Sequence, residues 1–110
     1  MFKKPADGVV FVDDKKESEF NSLEEDSWIK KSINKFIEDM KENVFAGEHV
    51  KKKLIPKKYL QDYGLDNIWR YQLPNGWRLI YSVVTPSKSE ILAVIVEWMD
   101  HKNYERRFGY

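Results

Sequence analysis

Apolar and polar positions along the chain form patterns that predict a short strand, a long helix and three further strands. The apolar run of residues 8–13 predicts a first strand that is buried. Residues 28–44 carry apolar side chains at three- and four-residue steps, which predicts one helix of about five turns. Asp26 or Ser27 can cap the start of this helix, and Gly47 can end it.

Two stretches around this helix have weaker patterns. Residues 15–25 are mostly polar and could form a short amphipathic helix, with Ser22 and Glu25 matching a capping box. Residues 48–67 form a connection long enough to be functional or to contain short structure of its own. Five lysines fall within eight positions of this connection: Lys51, Lys52, Lys53, Lys57 and Lys58.

Residues 68–84 predict a β-hairpin. Its arms are rich in aromatic and β-branched residues, and Asn75-Gly76 between them tolerates the positive φ that a tight turn needs. Residues 90–99 are apolar without alternation, which indicates a central strand covered on both faces. The polar tail after this strand is dense in hydrogen-bonding groups.

These elements predict a single α+β domain over residues 1–110. It has an N-terminal strand, one or two helices and then a three-stranded antiparallel meander, with the helices packed on one face of the sheet. Strand alternation puts Trp69, Tyr71 and Leu73 on the face that the helix covers. Arg70 and Gln72 then project from the uncovered face. Arg78 can join them there, although the register of the two arms is not readable from sequence.

Composition narrows the possible chemistry. The chain has 110 residues, no cysteine and two histidines without ligand spacing, so we expect no disulfide, no metal and no cofactor. No apolar run reaches the length of a membrane span, and the first residues lack a signal-peptide core, so we expect a cytoplasmic protein. The net charge of +1 conceals an asymmetry. Residues 17–48 hold four Lys and nine Asp/Glu, whereas residues 49–110 hold eleven Lys/Arg and six Asp/Glu. The basic second half could face a polyanion.

Four residues are candidates for chemistry. Arg70 and Arg78 can bind a phosphodiester through their planar guanidinium groups, or each can pair with a nearby carboxylate. His101 and Tyr104 lie three residues apart, so a helical turn would point both side chains the same way. Both side chains can transfer protons, although a surface or capping histidine is the plainer interpretation of His101.

The motifs of this hairpin and tail resemble those of the RelE/ParE superfamily of toxin–antitoxin toxins. The resemblance rests on the Trp-Arg-Tyr-Gln-Leu run at residues 69–73, the Gly-Trp-Arg-Leu-Ile-Tyr run at residues 76–81 and the His-Lys-x-x-Tyr tail at residues 101–104. It covers most of the chain, from the helix near Ser27 to Phe108. Members of the RelE branch are endoribonucleases (mRNA interferases) that cut mRNA on the ribosome without a metal, by attack of a 2′-hydroxyl on the adjacent phosphate.

The resemblance implies roles for particular residues. Arg70 and Arg78 match the phosphate-binding residues of the second and third strands, His101 or Lys102 matches a basic residue after the last strand, and Tyr104 matches a tail tyrosine that can act as base. Seven basic residues would contact RNA or the ribosome: Lys51, Lys52, Lys53, Lys57, Lys58, Lys102 and Arg106. The implied partners are a cognate antitoxin, the ribosome and mRNA, with no membrane.

Two alternatives stay open within the same resemblance. ParE-like members share the fold but inhibit DNA gyrase. A catalytically weak member would act only by binding its antitoxin, and Gln72 favours this alternative because it stands where some members have a lysine.

Overall fold

The computed structural model describes residues 3–109. Four helices and five strands form this part of the chain. In chain order they are β1 (Gly8–Phe11), α1 (Asp14–Asn21), α2 (Trp28–Glu42), β2 (Glu48–His49), α3 (Lys57–Tyr63), β3 (Trp69–Gln72), β4 (Arg78–Ser87), β5 (Glu90–Met99) and α4 (His101–Phe108). Two short 3-10 turns, Lys52–Leu54 and Pro74–Gly76, lie between them.

The strands form one mixed sheet in the order β1-β5-β4-β3-β2. The α+β class is therefore confirmed. The predicted antiparallel succession β3-β4-β5 lies in the middle of the sheet, but the prediction of a three-stranded sheet is wrong, because the sheet has five strands. The first strand pairs parallel to β5, and β2 adds a fifth strand beside β3. The pattern could not reveal β2, because it has only two residues and both are exposed.

The first strand was expected to be buried, and this prediction is wrong. Because β1 lies at one edge of the sheet, its side chains are only partly covered, and Val10 is 40% exposed. By contrast, the prediction for residues 90–99 is confirmed. Lying between β1 and β4, β5 has four consecutive buried residues, from Ala93 to Val96.

Helices cover both faces of the sheet, so the prediction that they lie on one face is wrong. One core lies against α2 and contains Ile33, Phe36, Met40, Val44, Leu73, Leu79, Tyr81, Ala93 and Ile95. The other core lies against α3 and α4 and contains Val50, Tyr59, Leu65, Ile68, Ile80, Val96, Met99, Tyr104 and Phe108. Each of these two helices buries only one or two side chains, which is too few for a recognisable apolar stripe.

Strand alternation holds in the hairpin. Trp69 and Tyr71 pack against the α2 core, whereas Ile68 belongs to the opposite core. Gln72 lies opposite Arg78 in the register, and Arg70 lies opposite Ile80. Residues directly opposite each other share a face, and Ile80 belongs to the core against α3 and α4. Arg70, Gln72 and Arg78 therefore all project toward these two helices. This confirms the shared face of the two arginines, whereas the prediction that this face is uncovered is wrong, because α3 and α4 pack on it.

The hairpin turn confirms the need for positive φ. Asn75 has φ 62° and Gly76 has φ 78°. The turn closes with a hydrogen bond from the Leu73 amide to the Trp77 carbonyl, 2.9 Å.

The helix ends were predicted in part. Ser27 caps α2, its hydroxyl accepting from the Lys30 amide. The helix ends at Glu42, before Gly47, which has a different role described below. The capping box at Ser22 is wrong, because Ser22 follows the end of α1, and Asp13 caps the start of that helix by accepting from the Lys16 amide.

Candidate functional site

Arg70, Arg78 and Tyr104 meet on the face of the sheet that α4 covers. Arg70 Nη1 donates a hydrogen bond to the Tyr104 hydroxyl. The guanidinium carbon of Arg70 lies 5.9 Å from the centroid of the Tyr104 ring, and that of Arg78 lies 5.4 Å from it. Both distances are within the range of cation–π attraction. Three residues that the sequence singled out separately therefore form one cluster.

The fold holds Tyr104 in this cluster through α4. Asp100 caps the helix by accepting from the Asn103 amide at 2.9 Å, and Gly109 ends it with φ 76°. Tyr104 and Phe108 lie one helical turn apart, and their rings stack with centroids 4.6 Å apart. Both rings are buried against the sheet, and Tyr104 is only 3% exposed.

Glu48 is a member of the site that sequence reasoning missed. Arg70 Nε donates to Glu48 Oε1, because β2 places Glu48 directly opposite Arg70 in the sheet. The Arg70 hydrogen bond and charge hold the pKa of the Glu48 carboxyl below its ordinary value. One signal was available: Glu48 is the only acidic residue between positions 43 and 61, within a lysine-rich segment.

Arg78 has different surroundings from Arg70. Its Nη1 donates to the backbone carbonyls of Gly76, at 2.7 Å, and Trp77, at 3.3 Å. Within residues 3–109 no carboxylate forms an ion pair with it. Carbonyl partners orient the guanidinium without neutralising it, so Arg78 supplies positive charge beside the Tyr104 ring.

His101 lies outside this cluster. It is the first residue of α4, its side chain is 59% exposed, and its Nε2 lies 3.3 Å from Glu105 Oε1. Its Cβ packs near Gly76 at the hairpin turn. His101 and Tyr104 do lie on one turn of α4, but the His101 imidazole contacts the exposed Glu105 carboxylate and not the cluster.

The other basic residues predicted to bind RNA are distributed around the site. Lys102 and Arg106 are exposed on α4, and Lys51, Lys52, Lys53 and Lys57 are exposed on the connection after β2. Lys58 is partly covered and pairs with Asp62 at 2.8 Å. A groove of about 230 Å³ is lined by Lys51, Leu54, Glu48 and Arg70 among others, so one of these lysines shares a surface with the arginine cluster.

A second polar contact fastens α3 and α4 to the sheet beside the site. The buried Tyr59 hydroxyl donates to Glu97 Oε2, and Arg107 Nε lies 3.2 Å from the same oxygen. Burial, together with the Glu97 charge, raises the pKa of Tyr59. The bulge that shifts the register between Ile80 and Tyr81 turns Glu97 toward this face.

The arrangement defines a site that is rich in positive charge. No group of three or more His, Asp or Glu side chains among residues 3–109 could hold a metal ion. In that same range no helix is long and apolar enough to cross a bilayer. Two guanidinium groups and a phenol hydroxyl on one face can bind an anion and hold a proton beside it.

Comparison of the chain with protein-family models, with curated proteins and with solved structures gives no match. The RelE/ParE resemblance therefore rests on the sequence motifs of residues 69–81 and 101–104.

Proposed function

We propose that this protein is a RelE-like toxin that cleaves mRNA on the ribosome. The observation that carries the proposal is the convergence of Arg70, Arg78 and Tyr104 on one face of the sheet. These residues come from two strands and a helix, and they are the residues that the motif resemblance assigns to phosphate binding and proton transfer.

The reaction would be an attack of the ribose 2′-hydroxyl on the adjacent phosphorus. The 2′-O–P bond forms, the bond from phosphorus to the 5′-oxygen breaks, and the products are a 2′,3′-cyclic phosphate and a 5′-hydroxyl. One group must accept the 2′-hydroxyl proton, and another must give a proton to the leaving oxygen. The pentacoordinate transition state carries additional negative charge on the phosphoryl oxygens, which nearby cations stabilise.

The surroundings of each residue support a division of these tasks. Arg78 has no carboxylate partner in the described chain, so its charge suits the phosphoryl oxygens. Tyr104, as the phenolate, can receive the 2′-proton and become a neutral phenol, and Arg70, which donates to the same oxygen, stabilises the phenolate charge. His101 is exposed at the start of the same helix and would protonate the leaving group after its imidazole turns from Glu105 toward the cluster.

The exposed basic residues support binding to the substrate as a whole. Lys102 and Arg106 on α4 and the lysines after β2 would contact backbone phosphates without sequence preference. Such binding weakens steeply as salt rises, because each contact releases counterions. An antitoxin would inhibit the protein by covering this surface.

A second candidate function is a catalytically weak member of the same class that acts through its protein partner. The closed network around Arg70 favours it, since Glu48 already pairs with this arginine and Tyr104 is almost fully buried. Gln72 on the same face adds no charge.

The test is induced expression in cells of the parent chain and of Arg78→Ala and Tyr104→Phe. We expect the parent to arrest translation and to leave mRNA fragments with 5′-hydroxyl ends. Loss of one transition-state donor or of a general base reduces the rate by about 10²-fold or more, so both variants should restore growth. Lys88→Ala, on the turn between β4 and β5, is the control for loss of an exposed cation.

Three outcomes would contradict this assignment. If both variants are folded and remain as toxic as the parent, the residues have no part in the activity. If growth stops while mRNA stays intact and a DNA-damage response appears, gyrase is the target. A parent chain without any effect on growth or mRNA would favour the binding-only candidate.

A further inference from the structure

A groove of about 340 Å³ lies beside α3, outside the cluster of Arg70, Arg78 and Tyr104. Its walls are mainly aliphatic, formed by Ile55, Pro56, Leu60 and Leu65. Lys52, Lys53, Lys57 and Asp66 complete its lining. The volume is within the range of pockets that take side chains or small ligands.

Large apolar side chains are exposed at and beside this groove. Leu60 is 58% exposed, and Leu54, on the 3-10 turn that precedes α3, is 45% exposed. Tyr59, the residue before Leu60, is fully buried and hydrogen-bonded to Glu97, so α3 is held firmly against the sheet. Leu60 therefore presents its side chain to solvent from a preformed surface.

The charge around the groove is positive and largely uncompensated. Lys51, Lys52, Lys53 and Lys57 are exposed, and among residues 3–109 none of them forms an ion pair. Lys58 is the exception in this segment, since Asp62 neutralises it. Asp66 is the single acidic side chain in the lining.

Aliphatic walls and unpaired lysines together select the chemistry of an occupant. A nucleic acid would use the lysines but would have no use for Leu60 or Ile55. A segment with leucine-like side chains on one face and carboxylates on both sides of it would use both features, as amphipathic helices do in apolar grooves. Charge complementarity would also speed the encounter and exclude basic segments.

We propose that the groove beside α3 is a docking site for an acidic amphipathic segment of a partner protein. Docking follows from the groove and its lysines, whereas identifying the partner as an antitoxin rests on the proposed function. Leu54, which lies in sequence between Lys53 and Ile55 of this groove, lines a second groove that contains Lys51 and Arg70. A bound segment that continues past Leu54 would therefore approach the arginine cluster and cover the lysines available to RNA.

The experiment uses the full chain and a synthetic, fluorescently labelled peptide. The peptide has about 16 residues, with leucines on one face of about four helical turns and glutamates elsewhere. We expect binding by fluorescence anisotropy, and changes in amide chemical shifts confined to residues 52–66. Leu60→Ser, and separately the Lys52→Gln, Lys57→Gln double variant, should each weaken binding by about 10-fold or more.

Matched controls separate docking from nonspecific attraction. Lys88→Gln removes an exposed lysine elsewhere and should leave affinity unchanged. A peptide of the same composition without an apolar face should bind at least about 10-fold more weakly, and one with lysine in place of glutamate should not bind. Leu60 is exposed, so thermal unfolding of Leu60→Ser should match that of the parent.

Several results would overturn the proposal. These are no binding up to about 1 mM peptide, binding unaffected by Leu60→Ser, or shift changes outside the groove. The proposal also fails if Leu60→Ser weakens the binding of the protein to a single-stranded RNA of equal length or to a vesicle of anionic lipid. It fails as well if sedimentation shows that a second copy of the protein occupies the groove. Arg78→Ala distinguishes the two proposals, because it should abolish toxicity while leaving peptide affinity unchanged.

Discussion

Replacement of Gly47 by alanine tests how the chain leaving α2 is fitted against the sheet. A Cβ built on Gly47 would lie 2.7 Å from the Arg70 carbonyl oxygen, 2.7 Å from Tyr81 Oη and 2.8 Å from Tyr81 Cε1. None of these atoms can retreat easily. The carbonyl belongs to β3, and Tyr81 is fully buried, with its hydroxyl donating to the Val44 carbonyl at 2.8 Å and accepting from the Gly47 amide at 3.0 Å.

The magnitude follows from three effects. Overpacking by one methyl group at a site without slack costs about 1–3 kcal/mol. Separation of the Gly47 amide from Tyr81 Oη forfeits about 0.5–1.5 kcal/mol more. Alanine also lowers the conformational entropy of the unfolded chain, which stabilises the folded protein by about 0.4–1 kcal/mol. We therefore expect a net loss of about 2 kcal/mol in the free energy of unfolding, within a range of about 0.5–4 kcal/mol, measured by urea denaturation.

A double-mutant cycle makes this prediction specific. Tyr81→Phe removes the hydroxyl that the new methyl group would meet, so Gly47→Ala should cost less in that background than in the parent. Ala46→Ser is the neighbouring control, because Ala46 is exposed, and its stability should be within about 0.5 kcal/mol of the parent. An equally small effect for Gly47→Ala would refute the close approach, and additive effects in the cycle would refute the contact with the Tyr81 hydroxyl as a part of its cost.

Two further predictions concern polar contacts around the site. Tyr59→Phe removes the hydroxyl that donates to Glu97 and should lower stability by about 1.5–3 kcal/mol in urea, whereas Tyr63→Phe on the same helix should have little effect. The lowered pKa of Glu48 means that its pair with Arg70 stabilises the fold above the unfolded carboxyl pKa and that this contribution is lost as pH falls through the folded pKa. Glu48→Gln should therefore be less stable than the parent at neutral pH, by about 0.2–1 kcal/mol for an exposed pair, with no difference in acid. If Glu48→Gln is still less stable than the parent in acid, the ion pair with Arg70 is not the cause of the difference.

The sequence predicted the elements whose side chains follow a strong period. The apolar stripe of α2 and its Ser27 cap are seen in the structure, as is the alternation that separates Trp69 and Tyr71 from Arg70. The hairpin turn was also predictable, since only a few residue types tolerate the positive φ found at Asn75. In each case the information is local, within one turn of helix or a few strand positions.

The elements that the sequence did not predict depend on contacts distant along the chain. Both residues of β2 are exposed and form a strand only because β3 offers an unpaired edge. With Tyr59 as its single buried residue, α3 owes its position to the bond with Glu97, 38 residues further along. The second core was missed for this reason, and with it the second covered face of the sheet.

The candidate site likewise has a part that the sequence predicted and a part that it did not. The shared face of Arg70 and Arg78 could be predicted from alternation once the register was assumed. The contact of Tyr104 with both arginines could not, because it requires α4 to fold back over the sheet. Glu48 joined the site through β2, which no pattern indicated.

The two arginines are consequently not equivalent, although the sequence presents them as a pair. Arg70 bridges β2 and α4, donating to Glu48 on one side and to Tyr104 on the other, so much of its hydrogen-bonding capacity holds the fold together. Arg78 is oriented by two backbone carbonyls, and among residues 3–109 it forms no ion pair, although its charge also acts on the Glu48 carboxylate. An incoming phosphate would displace no acidic partner from Arg78 but would compete with Glu48 for Arg70. Arg78 is therefore the better anion ligand, and in the proposed reaction Arg70 would act through its hydrogen bond to Tyr104.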